Sequence, residues 1–479
     1  MPHTPSQSTV AIAGGGLAGL AAACALSDAG FRVTVFEKRP FLGGRASSWE
    51  HPASGEVVDN CQHVLFRLCT NLMEFYGRIG VSDQIRWYDE LTFIEPGGRI
   101  SVMKSSALPA PLHTAPSFLN FSFLSAADKL AISRALVPLT LWQQRDTGRS
   151  FQEWLNHHGQ TKQAVDRFWR PILVSALSEE LDLISVSAAA QVVRESMKSP
   201  AARQMGVPTV PLTDLYNAAG DYIRARGGQL HFRRPVETFL ADPSQIRVRS
   251  RGQEQNAEES SEESFDYLIL ALPFTNLDRV LPGTPESAPI REQISHFESA
   301  PITGIHLWFD RQISDLDHAV LLDRTIQWMF HKSRLQPMRA KQKDASTQAG
   351  SYIELVVSSS KTLIDKSRAE IVELAVCEVR EFFPGARDAN LLKSTVIKEL
   401  HATYSPRPGI DAHRPSAVTA WPRVFLAGDW TATGWPATME GAVRSGYLAA
   451  EALSKASGSN DPRFLSSDLP ATGFMRFFS

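Results

Sequence analysis

Gly14, Gly16 and Gly19 spell G-x-G-x-x-G in the run Gly14-Gly15-Gly16-Leu17-Ala18-Gly19, and an acid, Glu37, stands roughly twenty residues further on. Residues of these types at this spacing can hold the diphosphate and ribose of a dinucleotide. Gly14 permits a tight turn, Gly16 lets backbone approach the diphosphate, and Gly19 lets the following helix pack closely on the preceding strand. That helix begins at Leu17 and Ala18, where unpaired N–H groups face the anion. Glu37, followed by Lys38, would accept hydrogen bonds from the adenosine ribose. A glycine-rich packing turn would account for the glycines but not for Glu37.

Two further stretches bear on which dinucleotide is bound. Leu42-Gly43-Gly44-Arg45-Ala46 follows the Glu37 strand directly, and Gly428-Asp429-Trp430 lies near the C-terminus. A nicotinamide domain has no reason to carry either. Both resemble the FAD enzymes of the amine oxidase and phytoene desaturase superfamily. The resemblance implies that Gly43, Gly44 and Arg45 contact diphosphate and ribityl, and that Asp429, after Gly428, binds a ribityl hydroxyl. It implies too that a helix starting near Met439, entered through Pro436, Ala437 and Thr438, aims its N-terminus at the flavin pyrimidine. Such a helix end stabilises negative charge. Val236, in Arg234-Pro235-Val236-Glu237, would hold the adenine through backbone atoms.

Within that superfamily the sequence is similar to the squalene-associated FAD-dependent desaturases, better described as hydroxysqualene dehydroxylases. The similarity runs through Arg39-Pro40 to Arg45, Asp59-Asn60-Cys61-Gln62-His63-Val64, Pro211 to Tyr216, Ile305 to Arg311 and Tyr404 to Gly409. Its longest stretch is Phe425 to Thr431, continuing through Gly434-Trp435-Pro436-Ala437-Thr438-Met439-Glu440-Gly441-Ala442. FAD binding alone does not require that last run. The chain departs from the pattern at Cys61, where a glycine is usual, and near Arg67, where a small residue is usual. Cys61 would tighten the pocket, place a thiol near the isoalloxazine, or act as a neutral small-residue swap.

The family's reaction would be reductive removal of the allylic hydroxyl of hydroxysqualene, a C30 isoprenoid, to give squalene for hopanoid synthesis. Reduced FAD would supply the electrons and the hydroxyl would leave as water. A proton donor and a dry apolar tunnel are then required. His63 is the first candidate donor, because an unperturbed imidazole titrates near neutrality; Asp59 or Gln62 would orient it. Tyr404 and Glu440 are further candidates. The tunnel would draw on Pro109 to Leu141 and on Phe168, Trp169, Trp308, Trp328 and Phe330. With no second G-x-G-x-x-G and no paired cysteines, electrons would come from an external donor.

Competing readings share the scaffold. A phytoene-type carotenoid desaturase or oxidase would oxidise a polyene instead. An amine oxidase would keep a lysine on the strand where Thr303, Gly304 and Ile305 stand. A non-catalytic prenyl-lipid escort, like the Rab GDP dissociation inhibitors, would lack reason to keep Gly14, Gly16, Gly19, Glu37, Arg45 and Asp429.

The elements that must position these residues follow from periodicity. Val10–Ala13, Leu17–Ala29 and Arg32–Glu37 read as one strand–helix–strand unit. Longer helical patterns occupy about Ile85 to Met205, including 129–144 and 151–157. A helix over 211–228 leads to a strand near 230–232, and 246–249, 265–270, 302–309 and 424–427 read as strands. The polar run 250–264 reads as a hairpin tip, 336–350 as a mobile loop, and 367–383 and 439–453 as helices.

The expected architecture is α/β: a Rossmann-type FAD domain with an inserted α+β substrate domain. FAD-domain segments would be 1–85, 206–290 and 401–456, substrate segments 86–205 and 291–400, and 457–479 a tail. A net charge of −2 gives no footprint for nucleic acid. The four cysteines form no C-x-x-C, and Cys24 and Cys377 sit in apolar helical patterns that predict core positions. No metal site, signal peptide or spanning helix is expected; Pro109, Pro111 and Pro116 interrupt the one uncharged stretch long enough to cross a bilayer. A cytoplasmic protein, peripheral on the inner membrane face through Leu112–Leu124 and the Phe474–Phe478 tail, would reach such a substrate. Oligomeric state is left open.

Overall fold

The computed structural model describes residues 8–51, 55–254, 257–336, 350–459 and 463–478. Its first layer is a five-stranded parallel sheet in the order Gln229–His231, Arg32–Phe36, Thr9–Ala13, Tyr267–Leu270, Val424–Leu426. Strands covered on both faces need continuous apolar runs, and Val10 to Ala13 and Leu268 to Leu270 are almost entirely buried. Leu17–Asp28 covers this sheet as a helix whose alanines and glycines let neighbours come close. A Cβ at Gly446, on the helix Met439–Ala456, would lie 2.2 Å from the Ala18 carbonyl oxygen, so only glycine admits this helix crossing.

A second layer is a seven-stranded sheet in the order Leu391–Tyr404, Ser299–Phe309, Ser351–Ser358, Trp328–Phe330, His318–Leu321, Glu90–Ile94, Ile100–Lys104. The two last strands come from the segment expected to be helical, so that segment completes the substrate sheet as well as covering it. Helices Ala126–Leu141, Phe151–His157, Arg170–Leu177 and Val186–Met197 build the rest of that unit around a core containing Phe121, Phe123, Phe151 and Trp169.

Several expectations change. The run 250–264 is not all hairpin tip: Ile246–Glu254 and Ala257–Phe265 form an antiparallel ladder as far as Glu254 opposite Ala257. The run is polar in sequence and charges pair along the strands, Arg247 with Glu262 and Arg251 with Glu237, so no hydrophobic alternation betrays it. The single strand expected over 265–270 divides at Asp266, with Tyr267–Leu270 joining the parallel sheet. Cys24 is buried, but Cys377 is exposed. The buried stripe of its helix is Ile371, Ala375, Val379 and Phe382, and position 377 falls outside it. The loop expected over 336–350 lies outside the described residues apart from its two ends.

Candidate active site

The first turn is a cradle whose three glycines do different work. Gly14 has φ +111°, and a Cβ there would sit 2.4 Å from the Ala271 carbonyl oxygen. A Cβ on Gly19 would sit 2.0 Å from the Gly14 oxygen, so this glycine serves helix–turn packing. Gly16 differs, because a Cβ there would meet only the Gly44 Cα, at 3.8 Å. The room beside it is the space a diphosphate needs, at the N-terminus of Leu17–Asp28, which carries no side-chain cap.

Hydrogen bonds stitch the second turn to the first. Gly43 N donates to Gly15 O at 2.9 Å, and the Arg39 guanidinium donates to Gly44 O at 2.8 Å. The Glu37 carboxylate accepts from Gly15 N at 2.7 Å and Arg39 N at 2.8 Å, leaving lone pairs on both oxygens. Across the cavity Arg45 pairs with Asp429 at 2.7 Å and also donates to Ala402 O. Thr438 caps the helix Met439–Ala456 by accepting from Gly441 N at 3.0 Å.

Gly14, Gly16, Leu17, Ala18, Glu37, Lys38, Gly43, Gly44, Arg45, Val236, Gly428, Asp429 and Pro436 through Met439 all line one cavity of about 1150 Å³. Gly19 alone of the expected cofactor residues does not. A single small-molecule site is about 300–1,000 Å³, and this cavity exceeds that range. These residues fit FAD: an open glycine cradle under a bare helix end, an acid at the ribose position, and a second helix N-terminus at the far side.

The cavity continues into an apolar limb walled by Leu136, Val137, Phe168, Ile172, Trp328 and Phe330. Trp328 and Phe330 stack at 5.5 Å, and the Trp328 indole donates to Ser175 Oγ at 2.8 Å. Trp169 also lines the cavity, but Trp308 does not. It lies six residues beyond the lining residue Ile302 on the same strand, roughly 20 Å away at 3.3 Å per residue, stacked on Tyr352 at 4.3 Å.

At the rim the Phe474–Phe478 segment docks by Phe474 N donating to Ala110 O at 2.8 Å, and Phe474 and Phe478 join the lining. Phe477 is 81% exposed and Leu119 62%. Phe121 and Phe123, in the stretch expected to face a membrane, are instead stacked core residues 1% exposed. The exposed apolar surface there reduces to side chains such as Leu112 and Leu119.

The candidate proton-transfer residues separate. Cys61, Gln62 and His63 line the cavity. His63 Nδ1 lies 2.7 Å from the Cys61 carbonyl oxygen, which can only accept, so Nδ1 carries hydrogen and Nε2 is the ring's acceptor. Burial lowers the His63 pKa below 6.5, holding the ring neutral near pH 7. Burial also pushes the Cys61 thiol well up, so it stays protonated.

Three expected residues have other roles. Tyr404 is 2% exposed, packed edge-on against Phe297, and does not line the cavity. Glu440 lines the cavity, but its carboxylate accepts from Asn71 N, Asn71 Nδ2 and Leu72 N, tying down the start of the helix Thr70–Arg78. Asp59 does not line the cavity; it accepts from Ser48 Oγ at 2.6 Å, Leu212 N at 3.2 Å and Lys332 Nζ at 2.6 Å.

Lys332 is the residue that sequence reasoning missed. It is 1% exposed, and its ammonium also donates to Gln62 Oε1 at 2.8 Å and lies 3.3 Å from Glu354 Oε2. Gln62 turns its Nε2 to the His63 carbonyl oxygen at 3.0 Å, so Lys332 holds the Gln62–His63 loop from beneath. Burial, outweighing the nearby Lys332 charge, pushes Glu354 up to about 7. One sequence signal pointed here: an acid inside the apolar strand Tyr352-Ile353-Glu354-Leu355-Val356. His331-Lys332-Ser333-Arg334 reads as surface and carries none.

Residues 17–454 match the family described as flavin containing amine oxidoreductase. The 15-cis-phytoene desaturase of Synechococcus elongatus is 27% identical over 466 residues, covering 93% of this chain and 95% of its own. The zeta-carotene desaturase of Synechocystis sp. is 26% identical over 473 residues, covering 93% and 96%. A crystal structure of an oxidoreductase from Methanosarcina mazei superimposes with a TM-score of 0.67 at 18% identity, covering 91% of this chain and 98% of that one.

Proposed function

This chain belongs to the flavin-containing amine oxidoreductase family and is an FAD-dependent oxidoreductase, and on that premise we propose that its substrate is a long acyclic isoprenoid. The observation that carries the substrate class is the apolar limb, continuous with the dinucleotide cradle and walled by Phe168, Ile172, Trp328 and Phe330. Gly16 backbone and the bare helix end would hold the FAD diphosphate, Glu37 the adenosine ribose, Asp429 the ribityl chain, and the end of Met439–Ala456 the pyrimidine. When bound, FAD supplies the two-electron redox centre. An external partner would exchange those electrons.

Two directions of reaction have separate support. Reductive dehydroxylation of hydroxysqualene rests on the dehydroxylase-like run Gly434 to Ala442, of which Trp435 through Glu440 and Ala442 line the cavity. Oxidative desaturation of a polyene is favoured by the names of the relatives and by the neutral His63, whose Nε2 is poised to accept a proton. In dehydroxylation His63 would first take up a proton and pass it to the leaving oxygen; in desaturation it would receive one from the chain.

Anaerobic mixing separates them. Dithionite-reduced enzyme that reoxidises with hydroxysqualene while squalene appears is a dehydroxylase; oxidised enzyme that bleaches with phytoene is a desaturase. If a yellow protein does neither, the isoprenoid reading is withdrawn. The pH profile reads His63: with its pKa below 6.5, dehydroxylation should quicken as pH falls toward that value and desaturation should slow. Near-normal turnover in His63→Ala removes the residue from either scheme.

Among the described residues no helix is long and apolar enough to cross a membrane. Peripheral attachment, at the inner face of the cytoplasmic membrane, is supported by the exposed Leu112, Leu119, Phe474 and Phe477 around the limb's rim. The triple change Leu112→Asp, Leu119→Asp and Phe477→Asp is expected to abolish co-sedimentation with liposomes while leaving the melting temperature in place. Unchanged sedimentation would move the membrane contact elsewhere.

A further inference from the structure

One cation beside Met103 in the cavity has no carboxylate partner among the described residues. Arg203, partly buried, lines the cavity at the end of a short turn, Ala201–Arg203, and Met103, Pro111, Phe118 and Met197 line it too. Its hydrogen-bond partner is the thioether of Met103, the weakest kind of acceptor. No ion pair involves it among the described residues, whereas elsewhere in the lining Arg45 pairs with Asp429, and Glu195 with Lys198 at 2.6 Å. Burial alone pushes the Arg203 pKa down to about 10, with no carboxylate raising it. A guanidinium in such walls costs free energy unless something pairs with it.

A second side chain shares the mismatch. His113, on the adjoining turn Leu112–Thr114, is fully buried, and neither ring nitrogen meets a hydrogen-bond partner among the described residues. Burial and the Arg203 charge together push it down to about 4, so it is neutral and adds no second positive charge. His113 lies behind the lining residues Leu112 and Thr114, so Arg203 is the polar group that faces the cavity there, a site for one acidic headgroup on a long apolar tail.

We propose that Arg203 is the anchor of an acidic-amphiphile subsite, binding the carboxylate or phosphate of a long-chain lipid whose tail lies in the apolar limb. The planar guanidinium offers paired N–H donors to either oxyanion, and Met103, Phe118 and Met197 supply the surface for the chain. Such a ligand would occupy the volume assigned to the isoprenoid, making acidic lipids competitive inhibitors. The binding claim itself does not rest on the isoprenoid reading.

The test uses the flavin-loaded protein and three ligands of one chain length: hexadecanoate, hexadecyl phosphate and hexadecanol. Isothermal titration should show both acids binding about tenfold or more tighter than the alcohol. Arg203→Met should erase that preference while still binding hexadecanol, and Arg203→Lys should restore part of it. Inorganic phosphate should not displace either acid, which separates a tail-borne headgroup from a free ion. Equal affinity for acid and alcohol in the unaltered protein overturns the proposal, as does an undiminished preference in Arg203→Met; displacement by inorganic phosphate at matched concentration overturns the amphiphile.

Discussion

Gly16→Val should yield a protein that folds and purifies colourless. A Cβ at this position meets nothing nearer than Gly44 Cα at 3.8 Å, and φ is −78°, a conformation valine adopts without strain. The added methyls therefore enter the space beside the helix end where the diphosphate would lie. Flavin content should fall at least tenfold, read from the absorbance ratio of the purified protein. The melting temperature should stay within a few degrees of flavin-stripped wild type, since only ligand stabilisation has gone. Gly19→Val is the contrast: its Cβ lies 2.0 Å from the Gly14 oxygen, so backbone must move, at about 3 kcal/mol or more. A yellow Gly16→Val protein would dismiss the cradle assignment; a well-folded, yellow Gly19→Val would dismiss the packing account.

Lys332→Met should be the most damaging single change to stability beneath the cavity. It leaves Asp59 and Glu354, both fully buried, without their shared cation. Breaking a buried pair in this way costs about 3–5 kcal/mol. The sign of the pH dependence follows from Glu354, whose pKa is raised from 4.5 in the open chain to about 7 in the fold. Its protonated form is favoured by folding, so its stability contribution is complete below about pH 4.5 and is lost as pH rises through about 7. Lys332→Met should therefore hurt most at pH 8 and less at pH 5.5, as read by urea melts. Glu354→Gln should flatten the slope between those limits and, combined with Lys332→Met, recover part of the loss. Equal destabilisation at both pH values would show that Glu354 does not titrate there.

The cofactor half of this site was legible because its signals are local. Turn glycines, the acid ending the next strand and the Gly43-Gly44-Arg45 turn lie within one strand–helix–strand unit, where spacing along the chain is spacing in the fold. The aromatic walls were legible as residue types: Phe168, Trp169, Trp328 and Phe330 reach the cavity, while Trp308, on the same strand as the lining residue Ile302, lies too far along it. The strands at 246–249 and from 265 were read from the sequence, but their extension through 250–264 was not, since a ladder between polar side chains needs no apolar alternation. Tyr404 and Glu440 illustrate the opposite error. Their types suit proton transfer, but packing against Phe297 and three hydrogen bonds to Asn71 and Leu72 engage them elsewhere.

What the sequence by itself determined is the glycine turn between a strand and a helix, the acid at the end of the next strand, and the α/β class of the fold. Only the tertiary structure decided which polar groups are buried and what they face. Lys332 stands 273 residues from Asp59 and 270 from Gln62, and among the described residues no carboxylate folds against Arg203. A charge in a sequence carries no mark of its surroundings: burial and partnering are properties of chains that meet in space, and they set whether a lysine is a solvated tip or the pin beneath a cavity wall.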